Sequence, residues 1–205
     1  AGALACENPC MPRAPKISDA IQKVGASVFS PLSARVEELQ RAGTELFPLH
    51  VGDTWLEPPD GCRMYDLMAC DHPGLHRYLP DTRGLPLLID ALLERARTLH
   101  HLPYERSGIL ITAGATLGLS NALSAILDPD EEVLLLAPYW PLIRGIVHSL
   151  RGRPVDVPFY DRVASAGDAI EAVEAKLTPR TAALYVSTPS NPTGRVLPEA
   201  WVRAP

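Results

Sequence analysis

The feature that most constrains the fold is an alternation of short apolar runs with helical patterns from Ile109 onward. Between the runs lie the patterns "LGLSNALSAIL" and "PLIRGIVHSL" and a predicted helix from Asp168 to Leu177. Runs that are apolar at nearly every position are typical of strands covered on both faces. The sequence therefore predicts an α/β fold, a mostly parallel sheet with helices on both faces. The four predicted strands are "ILIT" (109–112), "EVLLLA" (132–137), "PVDVPF" (154–159) and "AALYVS" (182–187).

Two further helices are predicted before this region. The stretch "SPLSARVEELQRAG" begins with Ser30 as the cap and Pro31 in the first turn, and it ends at Gly43. Between the two helices, residues 44–84 are expected to be mostly loop, with one short apolar piece at 47–51. The second helix, "LPLLIDALLERARTL", has an apolar face formed by Leu85, Leu88, Ile89, Leu92, Ala96 and Leu99.

The start and the buried face of the helix predicted from Asp168 to Leu177 can also be read from the sequence. Asp168 is followed three residues later by Glu171, a spacing that predicts a capping box at the start of the helix. Ile170, Val173 and Leu177 are expected to form its buried stripe.

Composition excludes some classes of partner. The chain of 205 residues has 46% hydrophobic residues, but no apolar run approaches the length of a bilayer span, and we expect no membrane partner. The N-terminal stretch lacks the basic start and apolar core of a signal peptide, which favours a cytoplasmic location. A net charge of -5 provides no basic surface for nucleic acid. No metal is predicted, because the spacing fits no standard zinc pair among Cys62, Cys70, His72 and His76.

The turn after the first predicted strand is suited to an anion. In an open parallel sheet, ligands bind beyond the carboxyl ends of the strands. After "ILIT" comes "AGAT", in which Gly114 permits an unusual backbone angle. The N–H groups of Ala115 and Thr116 then begin a helix unpaired, beside the Thr116 hydroxyl. This turn is either a phosphate site or the glycine that precedes many helices without binding anything.

Two more turns are predicted at the same edge. "PYWP" follows "EVLLLA", and Tyr139 and Trp140 are either core aromatics or, for the indole, a surface that stacks on a flat ligand. "TPSNPTG" follows "AALYVS", and it is either a plain connection or a turn that presents the amide donor of Asn191. An anion site, a stacking ring and a neutral donor in one place suit a phosphorylated aromatic cofactor.

Several segments together resemble one enzyme family. "SNPTG" at a strand end, "TAGATLGLSNAL" followed by "PYW", "RYLPDTRGLPLLIDAL" and "LHVGDTW" resemble the class I/II aminotransferases, the fold-type I enzymes that depend on pyridoxal phosphate. The resemblance runs from about Ser30 to Trp201. It implies an N-terminal arm and helix over residues 1–45 and a partial large, cofactor-binding domain over residues 46–205.

The resemblance also implies roles for individual residues. Gly114, Ala115 and Thr116 would hold the cofactor phosphate of pyridoxal 5′-phosphate. Trp140 would stack on the pyridine ring, and Asn191 would donate to the phenolic oxygen of the ring. Tyr78 would reach the phosphate of the partner subunit in a homodimer, and Gly52 would lie near the substrate carboxylate. The substrates implied are an α-amino acid and a keto acid.

The lysine that forms the Schiff base in this family has no counterpart here. The chain has three lysines, Lys16, Lys23 and Lys176, and none matches the family position after the Asn-Pro-Thr-Gly turn. We therefore expect an N-terminal fragment of an aminotransferase, with little or no activity and no catalytic residue of its own.

Other functions remain open from the sequence. A C–S lyase or an aminocyclopropane-carboxylate synthase that uses the same cofactor shares these motifs. A degenerate relative that binds cofactor or a partner chain without chemistry is a second alternative. A nucleotide-binding α/β domain is a third, although the chain has neither G-x-G-x-x-G nor a P-loop lysine motif.

Overall fold

The computed structural model describes residues 16–24, 29–47, 52, 56–68, 77–78 and 80–203. These residues divide into two compact units: one holds the described residues of 1–25 and 116–205, and the other holds those of 26–115. The helices are α1 (Asp19–Gln22), α2 (Phe29–Arg41), α3 (Met64–Met68), α4 (Pro86–His100), α5 (Gly114–Ile126), α6 (Leu142–Ser149), α7 (Ala166–Glu174) and α8 (Glu199–Val202).

The first unit is built on a three-stranded parallel sheet. Its strands are β1 (Glu132–Ala137), β2 (Arg153–Pro158) and β3 (Thr181–Tyr185), in the order β2-β1-β3. After Glu132 the central strand β1 is apolar because helices cover the sheet on both faces, and Val133 to Leu136 are all buried. The predicted parallel sheet is confirmed for three of the four apolar runs: the bounds of β1 match, and those of β2 and β3 differ by one or two residues.

Helices cover both faces of this sheet, as the sequence predicts. Alternate side chains of a strand point to opposite faces. Val133 and Leu135 pack with Leu123 of α5 and with Ile143 and Val147 of α6. On the other face, the cluster is formed by Leu134, Leu136, Val157, Phe159, Tyr160, Val163, Ala169 of α7 and Leu197, with Trp201 of α8 packed against it.

The fourth predicted strand is not a strand. Residues 109–112 have irregular backbone and follow a 3-10 turn at Arg106–Gly108. A strand forms only when another strand pairs with it, and within the described residues none lies alongside this segment. The Ile111 N–H instead donates to the carbonyl of Arg83 at 2.7 Å. The prediction of a strand at "ILIT" is therefore wrong.

The cap of α7 differs from the prediction. The helix begins at Ala166, so Asp168 is its third residue and the N-cap is Ser165. Ser165 Oγ accepts from the Asp168 N–H, and the Asp168 carboxylate accepts from the N–H of Ser165 at 3.0 Å. The capping box is therefore Ser165 with Asp168, and the predicted pair of Asp168 with Glu171 is wrong. Leu177 lies beyond the helix and is exposed.

The second unit contains α2, α3 and α4. Helix α2 begins at Phe29, so Ser30 lies inside the helix and is not its cap, while Gly43 follows the helix end with φ +77° as expected. Helix α4 confirms the second prediction, but it buries Ile89 and Leu93, whereas Leu88, Leu92 and Leu99 are exposed.

The predicted loop at 44–84 and the cysteines and histidines considered for zinc lie partly outside the described residues. Between 44 and 84 the described residues are irregular except for α3, and the apolar piece at 47–51 lies almost entirely outside them. Cys70, His72 and His76 also lie outside. The described residues contain no cluster of three or more potential metal ligands. None of the helices found in them has the length and apolar character needed to cross a membrane.

Candidate functional site

The turns after β1 and β3 leave the sheet at the same edge. The two strands are neighbours and run in parallel, with Leu135 of β1 opposite Tyr185 of β3. Neighbouring strands lie about 4.8 Å apart. The segment after β1 carries Trp140, and the turn after β3 carries Asn191, so the structure places both on the carboxyl edge of the sheet.

Helix α5 is directed with its N-terminus toward this edge. Leu127, which follows the helix, packs on Gly152, the residue before β2: a Cβ built on Gly152 would lie 2.5 Å from Leu127 Cδ2. The C-terminal end of α5 therefore lies at the edge where the strands begin. A helix rises 1.5 Å per residue, so Thr116 lies about 16 Å from Leu127. A strand of the length of β1 spans about 17 Å, and Thr116 thus comes to the level of the carboxyl edge.

The backbone around Gly114 is one that glycine adopts readily. Gly114 has φ +80°, and its N–H donates to the Thr112 carbonyl at 2.8 Å. The Thr112 hydroxyl donates to the Gly114 carbonyl at 3.0 Å. The helix begins here, so the N–H groups of Ala115 and Thr116 have no partner within it, and the positive end of the helix dipole is exposed. This arrangement is chemically suited to an anion.

Trp140 packs against the sheet beside a polar network that the sequence did not predict. Its indole is half-buried against the α5 and α6 face of the sheet. The preceding Tyr139 hydroxyl donates to Asp156 Oδ1 at 2.7 Å, and Arg144 donates to both, at 3.0 Å and 2.7 Å. Burial, and secondly the Asp156 carboxylate, raise the pKa of Tyr139, so the phenol stays protonated. The only available signal was Asp156 itself, a charged residue inside an apolar strand.

The turn that carries Asn191 is fixed from within. The Gly194 N–H donates to the Ser190 carbonyl at 2.6 Å, and the Ser190 N–H donates to the Arg195 carbonyl at 2.9 Å. The Arg195 guanidinium donates to the carbonyls of Tyr160 and Val163 at 2.6 and 2.9 Å. Asn191 is exposed at the tip, and within the described residues its side chain has no hydrogen-bond partner. These hydrogen bonds fix the turn and leave the side-chain amide of Asn191 available to a ligand.

Tyr78 and Gly52 lie in the second unit. The Tyr78 side chain is fully exposed, and a Cβ on Gly52 would have nothing within 4 Å. Their roles at the phosphate and the substrate carboxylate stay predictions.

Two cavities of the described residues lie elsewhere in the first unit. One is polar, measures about 400 Å³ and is lined by residues next to the strand beginnings; the other is apolar, measures about 180 Å³ and lies between α5 and β3. Neither is lined by Thr116, Trp140 or Asn191.

Known proteins are similar to this chain in sequence and in fold. A sequence model described as Aminotransferase class I and II matches residues 58–204. A probable aspartate/prephenate aminotransferase from Thermus aquaticus is 35% identical over 92% of this chain and 48% of its own length. A probable aspartate aminotransferase from Streptomyces griseus is 32% identical over 92% of this chain and 87% of its own length.

Solved structures extend the comparison to the fold. A double mutant of the aspartate aminotransferase from Thermus thermophilus superimposes with a TM-score of 0.78 at 31% identity, covering 92% of this chain and 49% of that one. The chain spans about half the length of the Thermus relatives that it matches.

Proposed function

Since the chain belongs to the class I and II aminotransferase family, whose members use pyridoxal 5′-phosphate, we propose that it supplies the phosphate and ring contacts of such an enzyme. The substrates are an α-amino acid and a keto acid, and the role is in amino acid metabolism. The observation that carries the proposal is the convergence of the α5 N-terminus, Trp140 and Asn191 on one sheet edge.

The described residues fit the phosphate of this cofactor. Gly114 has no Cβ, and nothing lies within 4 Å of where one would be, so a ligand can approach the backbone closely. The N–H groups of Ala115 and Thr116 donate to the phosphate oxygens, and the Thr116 hydroxyl adds a third donor. The helix dipole favours the negative charge.

The ring contacts come from the other two turns. Trp140 orients the pyridine ring by stacking on its face, and packing against the sheet limits the motion of the indole. Asn191 donates a neutral hydrogen bond to the phenolic oxygen, which stabilises the phenolate without adding an ion pair. When bound, the cofactor supplies the aldehyde and the electron-accepting ring that transamination requires.

None of the three lysines of the chain lies on this edge. Lys16 and Lys23 flank α1 and line the cavity at the strand beginnings, and Lys176 follows α7 just before β3 begins. An amine that moves a proton must be within hydrogen-bond reach of the reacting atom. We therefore propose that this 205-residue chain transaminates little or not at all alone.

A second candidate function is that of a non-catalytic relative which binds the cofactor only. The first proposal extends to a cytoplasmic homodimer in which Tyr78 reaches the phosphate of the partner subunit, and the full exposure of Tyr78 supports this. A complete enzyme and a non-catalytic relative differ in amino transfer but share cofactor binding.

The test measures binding and turnover on the same preparation. Equilibrium dialysis with pyridoxal 5′-phosphate should give saturable binding that Thr116→Val weakens, because a charged hydrogen bond is lost. Thr98→Val, an exposed threonine of α4, is the matched control. Transfer of the amino group from aspartate to 2-oxoglutarate should be negligible. Equal, competing binding of ATP or NAD would contradict the proposal and favour a nucleotide-binding domain.

A further inference from the structure

The polar cavity of about 400 Å³ lies at the edge of the sheet where the strands begin, opposite the edge that carries Trp140 and Asn191. It is formed by the segment around α1, the loop before β1, the end of α6 and the turn before β2. Its charged or titratable lining residues are Lys16, Asp19, Lys23, Asp130, His148 and Arg151.

The charges in this lining do not balance. Asp19 pairs with Lys16 at 3.5 Å, and Asp130 pairs with Arg153 at 2.8 Å. In the part of the chain that the structure describes, neither the Lys23 ammonium nor the Arg151 guanidinium has a hydrogen bond or an ion pair. Two unpaired cations therefore share one concave surface.

The positions of the neighbouring groups support a common site. Lys23 lines the cavity, and its charge contributes to lowering the pKa of Asp130, after the larger effect of Arg153. Burial chiefly, and then Arg144 and Lys23, hold the pKa of His148 below its ordinary value. At neutral pH the imidazole is thus uncharged and can donate one hydrogen bond.

The backbone that carries Arg151 is held in an unusual conformation. Asp130 and Arg151 have φ of +69° and +65°, in the left-handed region that residues other than glycine rarely adopt. The Asp130 N–H donates to the Arg151 carbonyl at 3.0 Å, which joins the loop before β1 to the turn before β2. Leu127 packs on the next residue, Gly152. Arg151 is therefore presented by a fixed turn.

We propose that this cavity binds the phosphate group of a small phosphorylated metabolite, with Lys23 and Arg151 neutralising its charge. Ammonium and guanidinium groups bind phosphate oxygens in many proteins. The volume is in the range of small-molecule sites and exceeds the need of a free phosphate. The site is separated from the candidate cofactor edge by the length of β1, about 17 Å.

The experiment is a titration of the isotope-labelled chain, followed by two-dimensional NMR, with inorganic phosphate and separately with glycerol 3-phosphate. Sodium chloride keeps the ionic strength constant. The amide signals of Asp130 and Gly152 should shift and saturate, and glycerol 3-phosphate should bind more tightly. Lys23→Gln and Arg151→Asn should each weaken binding by about tenfold or more.

Asparagine is chosen at position 151 because it tolerates the left-handed backbone. If Arg151→Asn does not fold, the affinity of Lys23→Gln is the test of the proposal. Lys176→Gln, an exposed lysine after α7, should leave the affinity unchanged. Unsaturable shifts, equal affinity for the two ligands, or equal affinity in all variants would overturn the proposal. So would shifts confined to Ala115 and Thr116, which would place phosphate on α5.

Discussion

At the scale of single residues, the account depends on Asn191 and its neighbours in the turn. The amide is free because Arg195, Gly194 and Ser190 satisfy the backbone of the turn among themselves and with the segment around Tyr160. Sequence reasoning singled out Asn191 from its place after a strand. It had no access to the role of Arg195, which depends on carbonyls more than thirty residues away.

Replacing Asn191 with alanine should weaken the retention of pyridoxal 5′-phosphate by about tenfold, since a hydrogen bond to a charged oxygen is lost. The absorbance of the bound cofactor should shift, because the phenolate loses its donor. Spectrophotometric titration measures both. Asn121→Ala, on the exposed side of α5, is the control, and an identical effect of the two substitutions would contradict the assignment.

Gly84 is a residue whose importance only the structure reveals. It has φ +142°, and a Cβ there would overlap Ile111 Cγ1 and lie 2.7 Å from Ile111 Cβ. Gly84→Ala should lower the free energy of unfolding by about 2 kcal/mol or more, as overpacking adds to backbone strain. Gly61→Ala, with φ +80° and open space, should cost only about 1 kcal/mol in chemical denaturation. Equal costs would show that the Ile111 contact is unimportant.

At the scale of elements, β1 is anchored at its beginning by a buried carboxylate. Glu132 is 5% exposed, accepts from the Thr178 hydroxyl and accepts from the Arg180 guanidinium at 2.9 Å. The Thr178 hydrogen bond first, and then Arg180, lower the pKa of Glu132. This ties the start of β1 to the segment that leads into β3.

The lowered pKa predicts the direction of a pH effect. Because the folded pKa is below the ordinary value of 4.5, the stabilisation is present above about pH 4.5 and is lost as the pH falls through the folded pKa. Glu132→Gln should therefore remove part of the acid-dependent loss of stability. Denaturation at a series of pH values measures it, with the exposed Glu174→Gln as control. If the free energy of unfolding depends on pH in the same way for the wild type and for Glu132→Gln, the proposed role of Glu132 is wrong.

The elements also show what the sequence could predict. Runs such as "EVLLLA" predicted strands correctly because continuous apolar character survives only where both faces are covered. "ILIT" is also apolar, but a strand needs a partner strand beside it, and the apolar pattern of a short segment gives no information about that partner. The cap of α7 was misplaced by three residues, because the sequence offers two acidic residues at similar spacing and only the hydrogen bonds of Ser165 distinguish them.

At the scale of the whole molecule, the described sheet has two edge strands, β2 and β3. Within the described residues β3 pairs only with β1, and Leu184 and Val186 beside it are 44% and 40% exposed. Open strand edges with apolar side chains promote association between chains.

We expect the 205-residue chain to self-associate through β3, and Leu184→Lys should reduce the apparent mass by placing a charge on that edge. Light scattering after size-exclusion chromatography measures it. Leu177→Lys, which is 53% exposed beyond α7, should not change the mass. A monomeric wild type, or an equal effect of the two substitutions, would contradict the expectation.

The central claim is that one sheet edge holds the phosphate, the ring and the phenolic oxygen of a single cofactor, and Trp140 reports on it directly. The measurement is fluorescence quenching of a Trp55→Phe/Trp201→Phe variant by 4′-deoxypyridoxine 5′-phosphate, which lacks the aldehyde and cannot modify lysines. We expect saturable quenching, and Thr116→Val and Asn191→Ala should both weaken it. Quenching that is absent, or that does not respond to either substitution, would contradict it.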